Sequence, residues 1–472
     1  MNPHGLYALG ILSPVCLPFH QPGENTSDIL SHLYFCVKIY IIMRMTKHYQ
    51  SALEIIDTLN RNKYQAFLVG GCVRNSLMNI KPDDYDIATN ASVQELESLF
   101  DYRTIGSGEK HGTVLVLVDD VDYGLEVTTF RDGAQTLKDD LSHRDFTINA
   151  MAYHPSEGII DYFGGTADIR NKIIRGVEDI HARFQEDPLR ILRGLRFAST
   201  FGFDIEAETS QAIHELAGLL SYVAPERLQK ELSKIICGIN AEKVLQDFHD
   251  VIAVIIPEIS PMVGFEQHNS HHYLDVFAHT LKVLASSSNS PVMRWTSLFH
   301  DIAKPECFFM GPDGQGHFYG HDLKSAEVAD KIMERLRFDN KTRETINFLV
   351  AKHCVSFPVS KKCVRRMIMK FGLENVKILR EFQGYDLAGH VFNAQEWEKY
   401  NEAERLLHEV EDENNCLKLR DLAVNGHDMI ALGLEGREIG RALNFLLEAV
   451  VDEKVNNTHD ELLKFFEETF YL

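Results

Sequence analysis

Apolar positions along this chain change their spacing several times before residue 165. Over 48–62, a stretch that "KHYQSALEIIDTLN" (47–60) largely covers, they fall at helical intervals. "AFLVGG" then reads as a strand, "VRNSLM" as a helix, "DYDIAT" as a strand and "SVQELESLF" as a helix, and "TVLVLV" and "YGLEVTTF" read as two more strands. From residue 180 to the end the spacing is almost continuously helical, with breaks at Pro257, Pro261 and from Gly389 to about 400. The pattern predicts an α/β head with a mixed sheet plus helices, followed by an all-α neck, body and tail. The boundaries expected are 1–45 for an unstructured extension, 46–170 for the head, 171–256 for the neck, 257–400 for the body and 401–472 for the tail.

Composition narrows the classes. The 472 residues carry 44% hydrophobic and 25% charged side chains, as a globular protein with real cores does. A formal net charge of −21 argues against a general nucleic-acid coat and leaves room for a local basic surface. Eight cysteines, at 16, 36, 72, 237, 307, 354, 363 and 416, form no CxxC pair, which suits free thiols in a reducing cytoplasm. "LYFCVKIYII" is too short to span a bilayer and no basic region opens the chain, so neither a membrane anchor nor a secretory signal is expected. Met43 and Met45 stand just before the first helical pattern, so the upstream segment is expected to lie outside the core.

Chemistry first shows in "FLVGGCVRNSLMNIKPDDYDIATNA". A strand running into Gly70 and Gly71 and then a helix lets backbone approach a phosphate, and Arg74 in the first turn adds charge. Such turns also recur without a ligand. Asp84 and Asp86 sit two apart on a predicted strand, so they point the same way. Paired carboxylates repel unless a cation joins them or one protonates. Hard divalent ions take such oxygens, and Glu126 on a further predicted strand supplies a third. Three carboxylates can serve a metal-assisted phosphoryl displacement.

"GGCVRN…DDYDIAT", "HRDFTINAMAY", "DYFGG", "EDPLRILRGLRFAS" and "ERLQKEL" follow in that order over roughly residues 50–235. This series resembles the five motifs of the class II nucleotidyltransferases, the CCA-adding tRNA nucleotidyltransferases and their bacterial poly(A) polymerase relatives. The resemblance implies that Asp84 and Asp86 bind Mg2+, with Glu126 as the third acidic residue. It implies that Arg144, Asp145 and Asn149 contact sugar and phosphates, and that Asp161, Gly164 and Gly165 form a hinge between head and neck. Asp187 and Arg190 would read the incoming base, with Arg193 also on the nucleotide. C and A each present an amino donor beside a ring-nitrogen acceptor, so one carboxylate and one guanidinium match both. Spaced three apart, Asp187 and Arg190 are expected on one helix face.

A second constellation runs through "HHYLDVFAHTLKVL", "LFHDIAKP", "GHDLKSAEVA", "VAKHCV" and "GYDLAGH". His279, His300, Asp301 and Asp386 resemble the ligand set of HD-domain metal phosphohydrolases, with His321 and His353 suited to a second metal. Imidazole and carboxylate favour Mn, Fe, Ni or Mg. The segment 417–457 resembles the C-terminal tRNA-binding module of bacterial CCA-adding enzymes, and "KKCVRRMIMK" (361–370) is a basic run within reach of phosphates.

Three departures stand out. Asn75 replaces the usual Asp after "GGxVR", and His143 replaces the first Arg of "RRDFTINA". Only twelve residues separate Arg131 from Arg144 (144 − 131 − 1), where relatives carry a longer, basic, proline-containing loop that helps switch specificity from C to A. The reading expected is therefore a tRNA 3′-end nucleotidyltransferase adding CC or CCA from CTP and ATP, with tRNA as partner. The alternatives are a poly(A) polymerase of the same family, or an HD phosphohydrolase with an RNA-binding head. Loss of incorporation in Asp84→Ala with hydrolase activity spared would separate the last from the first.

Overall fold

The computed structural model describes residues 47–470, apart from 101–111, 118–123, 271, 358 and 414–416. The expected extension 1–45 lies outside the described residues. Contacts divide the chain into two compact units, one ending at Asn240 and the other beginning at Ala241.

The first unit is built on a six-stranded mixed sheet. Its elements run α1 (Lys47–Arg61), β1 (Ala66–Val69), α2 (Gly71–Leu77), β2 (Asp86–Thr89), α3 (Val93–Leu99), β3 (Thr113–Val116), β4 (Leu125–Thr129), α4 (Leu137–Ser142), β5 (Met151–His154) and β6 (Gly158–Asp161). The sheet order is β3-β4-β2-β1-β5-β6. β2 and β4 run parallel and the other neighbours antiparallel. β1 is central and buried at every position, because both faces are covered. Ala66 and Leu68 pack with Ile55, Ile56 and Leu59 of α1, whereas Phe67 and Val69 pack with Leu137 and Leu141 of α4.

After the sheet come α5 (Gly165–Asn171), β7 (Ile173–Ile174), α6 (Ile180–Glu186), α7 (Leu189–Phe201), β8 (Asp204–Ile205), α8 (Ala207–Leu216) and α9 (Pro225–Ile236). β7 and β8 form a small parallel pair inside the segment 171–256 expected to be all-α. Asp161 caps the turn into α5, its carboxylate accepting from the N–H groups of Gly165 (3.0 Å) and Thr166 (2.8 Å). A Cβ at Gly165 would fall 2.2 Å from the carbonyl oxygen of Thr147, so only glycine lets this turn lie on "RDFTINA".

The second unit is helical: α10 (Ala241–Asp247), α11 (His249–Ile255), α12 (Val276–Ser286), α13 (Pro291–Phe299), α14 (Lys304–Cys307), α15 (His321–Arg335), α16 (Asn340–Lys352), α17 (Lys361–Phe371), α18 (Leu373–Gly389), α19 (Ala394–Asp412), α20 (Gly426–Ala431), α21 (Arg437–Val451) and α22 (His459–Thr469). One hairpin interrupts it, β9 (Phe309–Met310) with β10 (Gly316–His317). The basic run on α17 is not a free cationic face. Lys361 pairs with Glu409 and Glu413, Arg365 with Glu413, and Lys362 and Arg366 with Asp452.

Candidate functional site

The glycine turn and the aspartate pair face one another across the sheet. Antiparallel pairing sets Val69 opposite Asp86, so β1 reaches Gly70 where β2 begins. Asp84, Tyr85, Asp86 and Ile87 run exposed, buried, half-buried, buried, and that alternation puts both carboxylates on one side. The strand itself starts only at Asp86. The parallel register Ile87↔Val127 brings Glu126 beside Asp86 on the neighbouring strand. Burial, then the charges of Asp84 and Glu126, push the Asp86 carboxyl up to about 6 against the pull of Arg144 and Arg131. Three neighbouring carboxylates, one of them raised in this way, are a donor set that suits a hard divalent cation. They are not drawn into a tight trio: among the described residues, the donor trios within 4.8 Å of one another all contain histidine and lie in the second unit.

Facing the carboxylates is a cleft of about 470 Å3 whose walls include seven arginines, at 74, 131, 144, 190, 193, 196 and 227, and four aspartates, at 84, 86, 145 and 187. This is the local positive surface that a chain of net charge −21 left open. It suits the phosphates of a nucleotide. Gly70, at φ +72°, lets Arg144 in: a Cβ there would meet the Arg144 Nη1 at 2.9 Å. Arg74 donates to the Asn149 side-chain oxygen and lies 5.1 Å from the ring centres of both Phe197 and Phe201. Its burial, and then Arg196 nearby, lower the guanidinium to about 10. Asn75 gives Arg74 a neutral acceptor (2.8 Å) where an aspartate would have given a charge. Asn149 in turn donates to Asp145 (2.9 Å), and Arg193 does so at 2.7 Å. Burial alone would raise Asp145, but Arg193, Asn149 and the Phe146 N–H hold it down at about 2. Asp145 is thus a fixed anion that orders the two residues around it.

Asp187 and Arg190 line the same cleft, but not from one helix face. Asp187 ends α6 in an extended conformation, φ −139°, because Pro188 disfavours helix in the residue before it. Asp187 accepts from Arg227 (3.0 Å). Arg190 donates to Glu186 (2.9 Å) and to the carbonyls of Arg183 (3.1 Å) and His143 (3.3 Å). Arg131, Arg196 and Arg227 carry no assigned role in the sequence reading, although Arg131 follows "TTF", Arg196 lies within "EDPLRILRGLRFAS" and Arg227 within "ERLQKEL".

In the second unit the predicted histidines and aspartates do converge. His279 (α12), His300 and Asp301 (after α13) and Asp386 (α18) meet: His279 Nε2 lies 3.2 Å from Asp386 Oδ1 and 3.4 Å from His300 Nε2. Asp301 Oδ2 lies 3.2 Å from His300 Nε2 and 3.5 Å from His279 Nε2. Its other oxygen, Oδ1, lies 3.2 Å from His321 and 3.8 Å from His353. Each of these four histidines points Nδ1 at a backbone carbonyl, those of Gly389, Ser297, Phe318 and Val350. An Nδ1–H donated there would leave Nε2 to a metal, the arrangement a metal-ligating histidine needs. Lys304 stands 2.7 Å from Asp301 Oδ2. Burial opposes ionisation of Asp301, yet His300 and Lys304 hold its carboxyl well below the usual range. His272, His390 and Cys354 also line this pocket of about 510 Å3, and the sequence reading gave none of them a role.

Residues 66–175 match the poly A polymerase head domain, 202–262 the probable RNA and SrmB-binding site of polymerase A, and 321–466 the tRNA nucleotidyltransferase domain 2. A CCA-adding enzyme of Enterococcus faecalis is 29% identical over 433 residues, 88% of this chain and 95% of that protein. One from Bacillus velezensis is 40% identical over 237 residues, 47% of this chain and 59% of that protein's length. The crystal structure of the Bacillus stearothermophilus CCA-adding enzyme in complex with CTP matches with a TM-score of 0.68 at 27% identity, covering 90% of this chain and 98% of that one.

Proposed function

Because the chain belongs to the class II nucleotidyltransferase family of CCA-adding enzymes, we propose that it rebuilds the 3′ end of tRNA. It adds C, C and A from CTP and ATP without a nucleic-acid template and releases pyrophosphate. The single observation that carries this reading is the meeting of Asp84, Asp86 and Glu126 with an arginine wall in adjoining clefts. Asp84 and Asp86 would hold Mg2+, which would supply charge neutralisation at the reacting phosphate and activation of the attacking 3′-hydroxyl. The remaining tasks fall to the chain's own groups. Arg74 and Arg144 bind phosphates, and Asp145 holds Arg193 and Asn149 for the sugar. Asp187 and Arg190 exchange their protein partners for the Watson–Crick edge of C or A.

The test is direct. A purified preparation is given tRNA lacking its 3′-terminal CCA and each nucleoside triphosphate, and the products are sequenced. C, C and A in order, with UTP and GTP refused, is expected. A long A tract from ATP alone would replace this reading with poly(A) polymerase.

A second reading concerns the histidine cluster. His279, His300, Asp301 and Asp386 hold a transition metal, Mn, Ni or Fe, with His321 and His353 forming a second position on the other oxygen of Asp301. The convergent Nε2 atoms with their Nδ1 partners fixed favour it. Metal content of the parent should exceed that of a His300→Ala, Asp301→Ala double variant; equal content refutes the assignment.

A further inference from the structure

We infer that Cys354 is a thiolate ligand of that second position, which makes it a site for a borderline-soft ion such as Zn2+, chemically unlike the histidine–carboxylate position beside it. The inference rests on the metal-centre reading of the cluster and goes beyond it in ligand and in metal class.

Three donor atoms define the position. The Nε2 atoms of His321 and His353 lie 3.3 Å apart, and Cys354 Sγ lies 3.2 Å from the second and 3.6 Å from the first. A tetrahedral zinc with Zn–N near 2.0–2.1 Å and Zn–S near 2.3 Å has N···N edges of about 3.3 Å and S···N edges of about 3.5 Å. The protein therefore already sets these atoms at the edges of one tetrahedron. Asp301 Oδ1, 3.2 Å from His321 Nε2, stands where a fourth ligand belongs. Asp301 is buried, at 1% exposure, and His353 at 5%, so two of the donors are built into the fold, with His321 half-buried and Cys354 exposed at the mouth of the pocket.

Hydrogen bonding also leaves this group short of a cation. Both imidazoles spend their Nδ1–H on carbonyls, Phe318 and Val350, each at 2.7 Å. Two Nε2 atoms, a carboxylate oxygen and a thiol then face a common centre. A thiol has one proton and can satisfy one nitrogen only. A divalent ion satisfies all the donors together and displaces the thiol proton to solvent. Thiolate shifts preference from hard oxygen-seeking ions towards zinc. The first position has no sulfur among its donors: His279, His300 and Asp386 with Asp301 Oδ2 remain a nitrogen–oxygen set. One carboxylate thus bridges two positions of different softness.

Cobalt substitution tests this on the full chain. Metal-free protein reconstituted with Co2+ should show a thiolate-to-cobalt charge-transfer band in the near ultraviolet beside visible d–d bands. Cys354→Ser should abolish the charge-transfer band, keep d–d absorption from the first position and lower bound zinc by about one equivalent. Cys354→Asp, a hard-ligand control, should restore metal stoichiometry with Mn2+ and give no band. Uptake of metal with no thiolate band, or unchanged zinc content in Cys354→Ser, overturns this inference and leaves the first position standing. Failure of the parent to take up any transition metal overturns both.

Discussion

The two charged centres of this chain solve opposite problems. In the first unit, carboxylates on β2 and β4 face a wall of arginines across an open cleft, and among the described residues no three donors are drawn together. In the second, histidine nitrogens and two aspartates are pulled to 3.2–3.6 Å, with their tautomers fixed by backbone carbonyls. An open cleft of separated charges suits a cation that arrives with a polyphosphate and leaves with it. A closed nest of histidine nitrogens suits a resident ion. The contrast teaches that the type of donor and its rigidity, more than the number of acidic residues, would separate the transient metal site proposed for the first unit from the resident one proposed for the second.

Neutralising the head pair should give the largest effect. Asp86→Asn is expected to lower nucleotide incorporation by about a thousandfold or more, since charge neutralisation carries most of phosphoryl transfer. The same variant should be more stable than the parent in chelator. Asp86 has a folded-state value raised to about 6 from 3.8, so its ionisation costs stability above pH 6, and that cost vanishes as pH falls below about 4. Thermal melts with EDTA should show the variant ahead by at most about 3 kcal/mol at pH 7.5 and level at pH 4. Near-parental incorporation at saturating Mg2+ would remove Asp86 from the metal site. A stability gain that persisted at pH 4 would show that the repulsion is not its source.

Arg190→Ala comes next. Loss of one bidentate base contact costs about 1–3 kcal/mol, so selectivity for CTP over UTP should fall by roughly 5- to 150-fold, with a higher KM for CTP. Because Arg190 is tied to Glu186 and two carbonyls, some loss of stability is expected too, and a melt on the same sample keeps the two effects apart. A well-folded variant that still refused UTP as the parent does would make Arg190 a structural tie between α7 and the His143 turn.

What could be read from the sequence depended on the range of the interaction. Asp84 and Asp86 were legible because strand alternation is local, and Tyr85 between them turns into the core as it should. Five ordered motifs made the head recognisable although "DYDIAT" becomes strand only from Asp86. The helix-face expectation for Asp187 and Arg190 failed on one residue, Pro188, whose ring breaks α6 from α7. The pairing of "KKCVRRMIMK" with Glu409, Glu413 and Asp452 was invisible because its partners lie tens of residues away. Cys354 followed His353 in plain sight, but its meaning needed His321 brought up by α15.

The smallest effect concerns the last nucleotide. C and A satisfy the same carboxylate–guanidinium pattern, so base chemistry alone cannot change the preference after two additions; something in the protein must move. The stretch between Arg131 and Arg144 is the natural candidate, yet here it is short and folded. Thr136 caps α4 through the Asp139 N–H (3.2 Å), Leu137 and Leu141 are buried in the core, and Asp140 accepts from Arg144 at 3.2 Å. A helix anchored at both ends has neither the reach nor the positive charge to push the pocket from C to A. With tRNA ending in CC and ATP alone, A addition is therefore expected to run at about a tenth, or less, of the rate of C addition to tRNA ending in C, a barrier difference of about 1.4 kcal/mol. Grafting a longer basic segment between Gly133 and Thr136 should narrow that gap while leaving C addition unchanged. Equal rates in the parent would place the switch elsewhere, with α7 and its Arg190 the next element to vary.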